Sequence, residues 1–319
     1  MRYHLEVREG FCANCNTGAG GICRREDRIA RNIKGWTIMC QFCHQHGEGK
    51  KWYLDARHYS GELLADMGRV RFLEDFVRKT ARGRASMVEG KLRKAMSAPS
   101  WLRRMIFFFE ERKYKRDHFG QVVPIEDVEK VLGLANSIVR VPCVCRKKST
   151  RKTTNEFCFG LGLDPEKITG MKEAFMESFR AGPEVKLFEK LTPAEALDLH
   201  RSFEKKGLIH TVWTFKTPFI GGLCNCDRSD CLAMLSHRYD FRVFFRAEYV
   251  AETNTRACSG CRACISLCQF GAIGYSVLKK KAFIDPLRCH GCGVCRAACE
   301  FDAISLVSRS EHPLCRNLW

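Results

Sequence analysis

The sequence predicts an α+β protein in which a helical region and a mixed region precede a duplicated cysteine-rich segment. Three observations lead to this fold class. Residues 61–120 carry apolar side chains at helical spacing, residues 121–247 alternate helix-like and strand-like patterns, and residues 248–308 contain one cysteine pattern twice, 31 residues apart. No single pattern runs through the chain, so we expect separately built regions.

Residues 1–60 form a segment rich in cysteine, glycine and histidine. It contains two C-x-x-C pairs separated by 24 residues, which suits a tetrahedral site with four sulfur ligands. The candidate ligands are Cys12, Cys15, Cys40 and Cys43, and Cys23 lies between the pairs as a further candidate. We expect a 4Fe-4S cluster, a single iron or a zinc ion here, because all three accept four thiolates.

The stretch from Cys40 to His44 also matches the haem-attachment pattern C-x-x-C-H. Covalent haem attachment follows export, and the sequence after Met1 shows neither the apolar core nor the cleavage site of an export signal. The chain has no run of roughly 18 apolar residues, so no membrane span is expected. Twenty cysteines without an export signal indicate a cytoplasmic protein with metal-bound thiolates.

The region 61–120 predicts two helical stretches with a basic surface. An apolar stripe from Leu63 to Val77 indicates the first helix, and the second begins at Ser100. Residues 78–116 contain 13 Lys and Arg against three Glu, interleaved with Trp101 and three consecutive phenylalanines.

Several interpretations of this basic segment are open. It forms a solvated face with its aromatic rings in the core, a docking surface for an acidic redox partner, or an amphipathic helix on an anionic membrane. Nucleic-acid binding has only the charge in its favour. The formal net charge is +18, and two to four clusters at about −2 each would still leave the protein basic.

The region 121–247 predicts a small α/β domain. Pro124 begins a helix, residues 138–142 form a strand, and Thr192 with Glu195 forms a capping box for a second helix that Gly207 ends. A second strand covers residues 208–215. Two cysteine groups follow these strands, and we expect both groups on loops at strand ends.

Six cysteines in this region are candidate metal ligands: Cys143, Cys145, Cys158, Cys224, Cys226 and Cys231. Six thiols exceed the four that one 4Fe-4S cluster needs. We expect a further 4Fe-4S cluster here, with zinc or buried free thiols as the alternatives. His210 is a candidate ligand too, although a histidine in a strand is usually a hydrogen-bonded core residue.

The duplicated segment contains two runs of C-x2-C-x2-C-x3-C, each followed by x-Phe-x-Ala-Ile. The first run is Cys258, Cys261, Cys264 and Cys268, and the second is Cys289, Cys292, Cys295 and Cys299. Three cysteines on one tight loop supply three corners of an iron–sulfur cubane. Two full runs in register therefore predict two 4Fe-4S clusters.

Residues 248–308 resemble the bacterial ferredoxins with two 4Fe-4S clusters. This resemblance implies that the fourth cysteine of each run binds the other cluster. The first cluster is then held by Cys258, Cys261, Cys264 and Cys299, and the second by Cys289, Cys292, Cys295 and Cys268. The sequence departs from the family at Gln269 and Glu300, where the family usually has proline. Residues 309–319 are predicted to form a C-terminal tail.

The whole chain also resembles a group of multi-cluster 4Fe-4S subunits from anaerobic oxidoreductase complexes. The shared motifs are Cys143-Val-Cys145-Arg146, Gly207-Leu208-Ile209-His210 and Cys224-Asn225-Cys226. This resemblance implies a non-catalytic subunit that relays electrons to partner subunits. Two alternatives stay open: a redox enzyme with an unusual cluster in the central region, and an iron–sulfur or zinc module that regulates or binds nucleic acid.

Overall fold

The computed structural model describes residues 51–80, 85–143, 145, 158–163, 173, 188–229 and 231–316. The chain contains both helices and strands, which agrees with the predicted α+β class. No helix in the described ranges combines the length and the apolar character that crossing a lipid bilayer requires.

Among the residues that the structure describes, four α-helices precede the first strand. They are α1 (Gly61–Leu64), α2 (Met67–Lys79), α3 (Ala85–Met96) and α4 (Ser100–Asp117). The single helix predicted around the first apolar stripe is divided in two, because the Asp66 side chain accepts the backbone N–H of Arg69 at 2.7 Å. A side chain that caps a helix start in this way ends the continuity with the helix before it.

Seven strands form the main sheet, in the order β4-β2-β3-β6-β5-β1-β7. They are β1 (Gly120–Val123), β2 (Ile138–Val141), β3 (Cys158–Leu161), β4 (Glu189–Lys190), β5 (Ile209–Thr214), β6 (Ile220–Cys226) and β7 (Phe244–Phe245).

The pairing of these strands differs from that of the small α/β domain predicted for this region. All neighbours are antiparallel except β1 and β7. Residues 215–219 join β5 directly to β6, and so short a connection serves only antiparallel neighbours. The region is therefore part of the same α+β architecture.

In the described ranges from residue 120 to 247, the sheet is accompanied by the helices α5 (Ile125–Leu134), α6 (Pro193–Lys205) and α7 (Leu232–Arg238). The predicted capping box begins α6, because the Thr192 hydroxyl accepts the N–H of Glu195 and the Glu195 carboxylate accepts the N–H of Thr192. Pro124 precedes α5 as its cap residue instead of being its first helical residue. Helices α5 and α6 cover one face of the sheet, where Val128, Leu197 and Leu223 share one core.

The duplicated segment contains β8 (Tyr249–Thr253), α8 (Ala263–Leu267), β9 (Ile273–Ser276), β10 (Lys281–Ile284), α9 (Val294–Ala297) and β11 (Ile304–Ser308). Strand β8 pairs antiparallel with β11, and β9 pairs antiparallel with β10. Each cysteine run thus leads through a short helix into a strand. The two copies of the sequence pattern adopt the same local structure.

Candidate metal centres

The fold groups the eight cysteines of the duplicated segment into two sets of four. Each set lines its own small cavity, and each contains three cysteines of one run together with the fourth cysteine of the other. The first set is Cys258, Cys261, Cys264 and Cys299, and the second is Cys289, Cys292, Cys295 and Cys268. Crossed ligation of two clusters requires this grouping.

Two glycines make the tight cysteine loops possible. Gly260 and Gly291 have φ of +79° and +69°, a region that favours glycine. A Cβ atom on Gly291 would lie 2.0 Å from the carbonyl oxygen of Tyr249, and one on Gly260 would lie 2.2 Å from that of Lys280. Any side chain at these positions would displace a neighbouring strand or turn.

Backbone N–H groups point at the sulfurs of both sets. The N–H of Ala272 lies 3.3 Å from Cys268 Sγ, and the N–H of Ala303 lies 3.3 Å from Cys299 Sγ. Cys289 Sγ receives two such contacts at 3.4 Å, from Ala251 and Gly291. Amide dipoles directed at sulfur stabilise thiolates, so these residues fit iron–sulfur clusters.

Cationic side chains lie beside both sets. Arg309 is 1% exposed and donates to the carbonyl oxygens of Ala247, Tyr249 and Cys289. Arg246 also donates to the Cys289 carbonyl, at 3.0 Å. Two guanidinium groups therefore lie beside the second set.

The first set has both cations and a carboxylate in its surroundings. Arg262 lines its cavity, and Lys281 Nζ donates to the Cys258 carbonyl oxygen. The backbone N–H of Ala263 and the Ser259 hydroxyl lower the pKa of Cys261, and the negative charge of Glu300 opposes this shift only weakly. Arg309 lies in the segment predicted as a tail, and it was not predicted as part of the site because nothing in the cysteine pattern marks the residue after the last strand.

All six central cysteines line a second type of site, a single cavity that we call the six-thiol chamber. They come from the loop after β2, from β3, from β6 and from the residue that precedes α7: Cys143, Cys145, Cys158, Cys224, Cys226 and Cys231. The cavity measures about 140 Å³, whereas one water needs roughly 15 Å³. The chamber therefore has room for a group of several atoms.

The expectation that both cysteine groups lie on loops is wrong in part. Cys224 and Cys226 are in strand β6, and Cys158 pairs with Cys224 across β3 and β6. The pleat of β6 directs Cys224 and Cys226 to the same sheet face. The sheet itself thus presents three of the six thiols.

Neighbouring thiols and burial control the protonation of the chamber. Contact with the Cys143 thiol, together with burial, raises the pKa of Cys145 and Cys158 well above the ordinary value. The Cys226 and Cys231 sulfurs lie 3.1 Å apart, which raises the pKa of Cys226 and lowers that of Cys231. Six thiols in one apolar chamber cannot all ionise unless a cationic centre joins them.

His210 lies on the opposite face of the sheet from these cysteines, as a core residue. It is fully buried, and its Nδ1 lies 2.6 Å from the Asn225 side-chain oxygen. Its ring is 5.3 Å from that of His200 on α6. Burial lowers the pKa of His210 to about 4 and that of His200 to about 3, so both rings are neutral at pH 7.

The candidate ligands of the N-terminal segment lie outside the described residues. Cys315 is fully buried, and its thiol interacts with the guanidinium of Arg309. Within the described ranges, no three His, Cys, Asp or Glu side chains are arranged to hold a single metal ion.

Comparison with known proteins gives one family match. No curated protein and no solved structure matches the chain significantly. Residues 257–304 match the 4Fe-4S dicluster domain family, which spans both cysteine runs of the duplicated segment. This match confirms the ferredoxin-type segment, so the chain carries a 4Fe-4S dicluster domain.

Proposed function

We propose that this protein transfers electrons through two 4Fe-4S clusters held by the two crossed cysteine sets. The observation that carries the proposal is the grouping itself: two cavities, each lined by three cysteines of one run and the fourth of the other. A dicluster domain supports an iron–sulfur electron-transfer role. Each bound cluster would supply a one-electron redox centre.

The surrounding residues would tune and protect these centres. Backbone N–H groups stabilise the thiolates, and the buried side chains of Ile273 and Ile304 line the second and the first cavity and limit water access. The guanidinium groups beside the second set favour its reduced, more negative state.

The wider proposal is a cytoplasmic relay subunit of an anaerobic oxidoreductase complex with one or two further metal sites. The further sites are the six-thiol chamber and the N-terminal cysteine pairs, where zinc is the alternative to iron. Exposed apolar side chains on basic helix α4 support docking to a partner: Trp101 is 67% exposed and Phe109 is 62% exposed. An acidic partner surface would complement this helix.

Flotation with vesicles that contain phosphatidylserine separates the two docking interpretations. We expect no binding of the protein to such vesicles. Binding that disappears in the Trp101→Ser variant would favour peripheral membrane contact over an acidic protein partner.

The metal content of the anaerobically purified protein tests the main proposal. Roughly eight irons per chain correspond to the dicluster domain alone, and about 12 or 16 correspond to added cubanes. Reduction should give the spectra of two interacting clusters. A chain with no iron, or one with zinc in these eight thiolates, would overturn the proposal.

The six-thiol chamber also favours a second candidate, a redox enzyme. Apolar residues such as Phe76 and Trp213 also line this cavity. Its six thiols are more than the four that one 4Fe-4S cluster binds. A spectral change of the protein on addition of a substrate would support catalysis. An electron carrier needs no such response.

A further inference from the structure

We propose that the six-thiol chamber binds an iron–sulfur cluster of its own, and that the second ferredoxin-type cluster is its direct electron partner. This inference rests on the proposed electron-transfer function. It adds an order of sites along the molecule: first cluster, second cluster, six-thiol chamber.

The chamber has the properties of a built metal site. Four separate chain segments bring thiols to it, and Cys143 is in contact with both Cys145 and Cys158. The backbone N–H groups of Ala233 and Met234 donate to the Cys231 sulfur. Convergent thiols with amide donors are the arrangement that the crossed cysteine sets show as well.

A polar side chain in the chamber wall supplies a second, independent observation. Thr80 lines the chamber and is only 2% exposed. Its hydroxyl oxygen has no hydrogen-bond partner among the residues that the structure describes. A buried hydroxyl without a partner destabilises the fold, and a cluster sulfur in the chamber would accept its hydrogen bond.

The second cysteine set lies next to this chamber. Cys226 and Cys231 belong to one buried apolar cluster that also contains Val294 and, at its edge, Cys292. Leu267 and Phe270, which lie on either side of the second set's Cys268 in the chain, pack against the same cluster. Side chains of the second site and of the chamber therefore meet in one continuous core.

The first cysteine set has no such contact among the described residues. Its members Cys258, Cys264 and Cys299 pack in a different apolar cluster, which they share with Cys289 and Cys295 of the second set. Cys261 is exposed. The second set thus contacts both neighbours, whereas the first set contacts only the second.

Stacked rings reinforce this contact. Phe270 and His290 lie parallel, with centroids 3.8 Å apart, and each follows closely on a ligand of the second set. His237 on α7 meets both rings, at 5.5 Å and 4.8 Å. Helix α7 begins immediately after Cys231, so these rings link the second site to the chamber wall.

The first experiment removes the chamber ligands from the full chain. The variant with Cys143, Cys158, Cys224 and Cys226 all changed to Ser keeps two chamber thiols, too few for a cubane. We expect it to lose about four irons per chain and to keep the spectra of the ferredoxin-type pair. The matched control Cys315→Ser, at a buried cysteine outside the chamber, should lose no iron.

The second experiment tests the order of sites without altering the chamber. Cys261→Ser should remove the first cluster, as shown by its iron loss. In the reduced variant the second cluster should still show spin coupling to a neighbour. Adding the four chamber substitutions should then leave the spectrum of an isolated cluster.

The outcomes separate this inference from the proposed function. Unchanged iron in the four-cysteine variant, or zinc lost in place of iron, would overturn the chamber cluster while the ferredoxin-type pair stands. An uncoupled cluster in Cys261→Ser would overturn the order of sites. Absence of iron from the wild-type chain would instead refute the proposed function.

Discussion

The side-chain amide of Gln269 donates a 2.8 Å hydrogen bond to the carbonyl oxygen of Gly207, 62 residues earlier in the chain. The oxygen of the same amide accepts the backbone N–H of Arg228, also at 2.8 Å. The residue that departs from the ferredoxin pattern thus ties the duplicated segment to the turn after α6 and to the segment after β6. Proline at this position could make neither bond.

Gln269→Leu should weaken this connection. The substitution removes both hydrogen bonds, and an ordinary intramolecular hydrogen bond contributes about 0.5–1.5 kcal/mol to the free energy of unfolding. Urea unfolding followed by tryptophan fluorescence measures the loss. Glu300→Leu, at the corresponding exposed position of the second run, is the control and should change stability by less than about 0.5 kcal/mol. Equal effects of the two variants would deny Gln269 this role.

Crossed ligation predicts which cysteine variants resemble one another. Cys268→Ser should reproduce the spectral loss of Cys292→Ser, although Cys268 belongs to the first run, because both line the second cavity. Cys264→Ser should instead damage the first cluster. Electron paramagnetic resonance of the reduced variants makes the comparison. If Cys268→Ser matched Cys264→Ser, ligation would follow the runs and not the cavities.

The sequence was most informative where a local pattern determines the structure. The capping box at Thr192 and the strand over residues 208–215 depend on neighbours in the chain, and both were found. The break at Asp66 was missed because the apolar stripe continues across it, and only the cap geometry stops the first helix.

The candidate sites also differ in how far a local sequence pattern predicts them. The two cysteine runs predict the dicluster domain, because three ligands of each cavity lie close together in the sequence. The chamber could be predicted only as a list of six thiols, because its walls come from segments as far apart as Cys143 and Cys231. Arg309 and the partners of Gln269 depend on tertiary packing, which leaves no local pattern.

Gly291→Ala should disrupt the second cysteine loop. The new Cβ would lie 2.0 Å from the Tyr249 carbonyl oxygen, at a backbone φ of +69° that L side chains rarely adopt. We expect more than about 2 kcal/mol of destabilisation and loss of the second cluster. Gly133→Ala in helix α5 is the matched control, with open space around its Cβ, and should stabilise by about 0.5–1 kcal/mol. Denaturation midpoints measure the changes in stability, and the iron content measures the loss of the second cluster.

Arg309→Met should lower the reduction potential of the second cluster. Reduction adds negative charge beside a buried guanidinium. An interaction of about 1–2 kcal/mol, at an effective dielectric constant of roughly 20, corresponds to a shift on the order of 50 mV. Potentiometric titration followed by electron paramagnetic resonance measures the shift. The control Arg256→Met changes an exposed arginine of the same segment and should have a much smaller effect. Equal shifts would show that the burial of Arg309 is irrelevant.

The buried histidine pair should make the protein less stable in mild acid. Burial lowers the pKa of His200 from 6.5 to about 3, so the unfolded chain binds a proton between these values that the folded chain does not. The free energy of unfolding therefore falls as pH drops below about 6.5, and it is unaffected by this group above that pH. The proton that the unfolded chain binds at His200 is missing in His200→Leu. Its urea midpoint should fall less steeply than that of the wild type from pH 6.5 to 5. The number of protons taken up on unfolding in this range should be smaller by up to one. Parallel curves for the two proteins would mean that His200 is protonated in the folded state, against the neutral ring that its burial beside His210 requires.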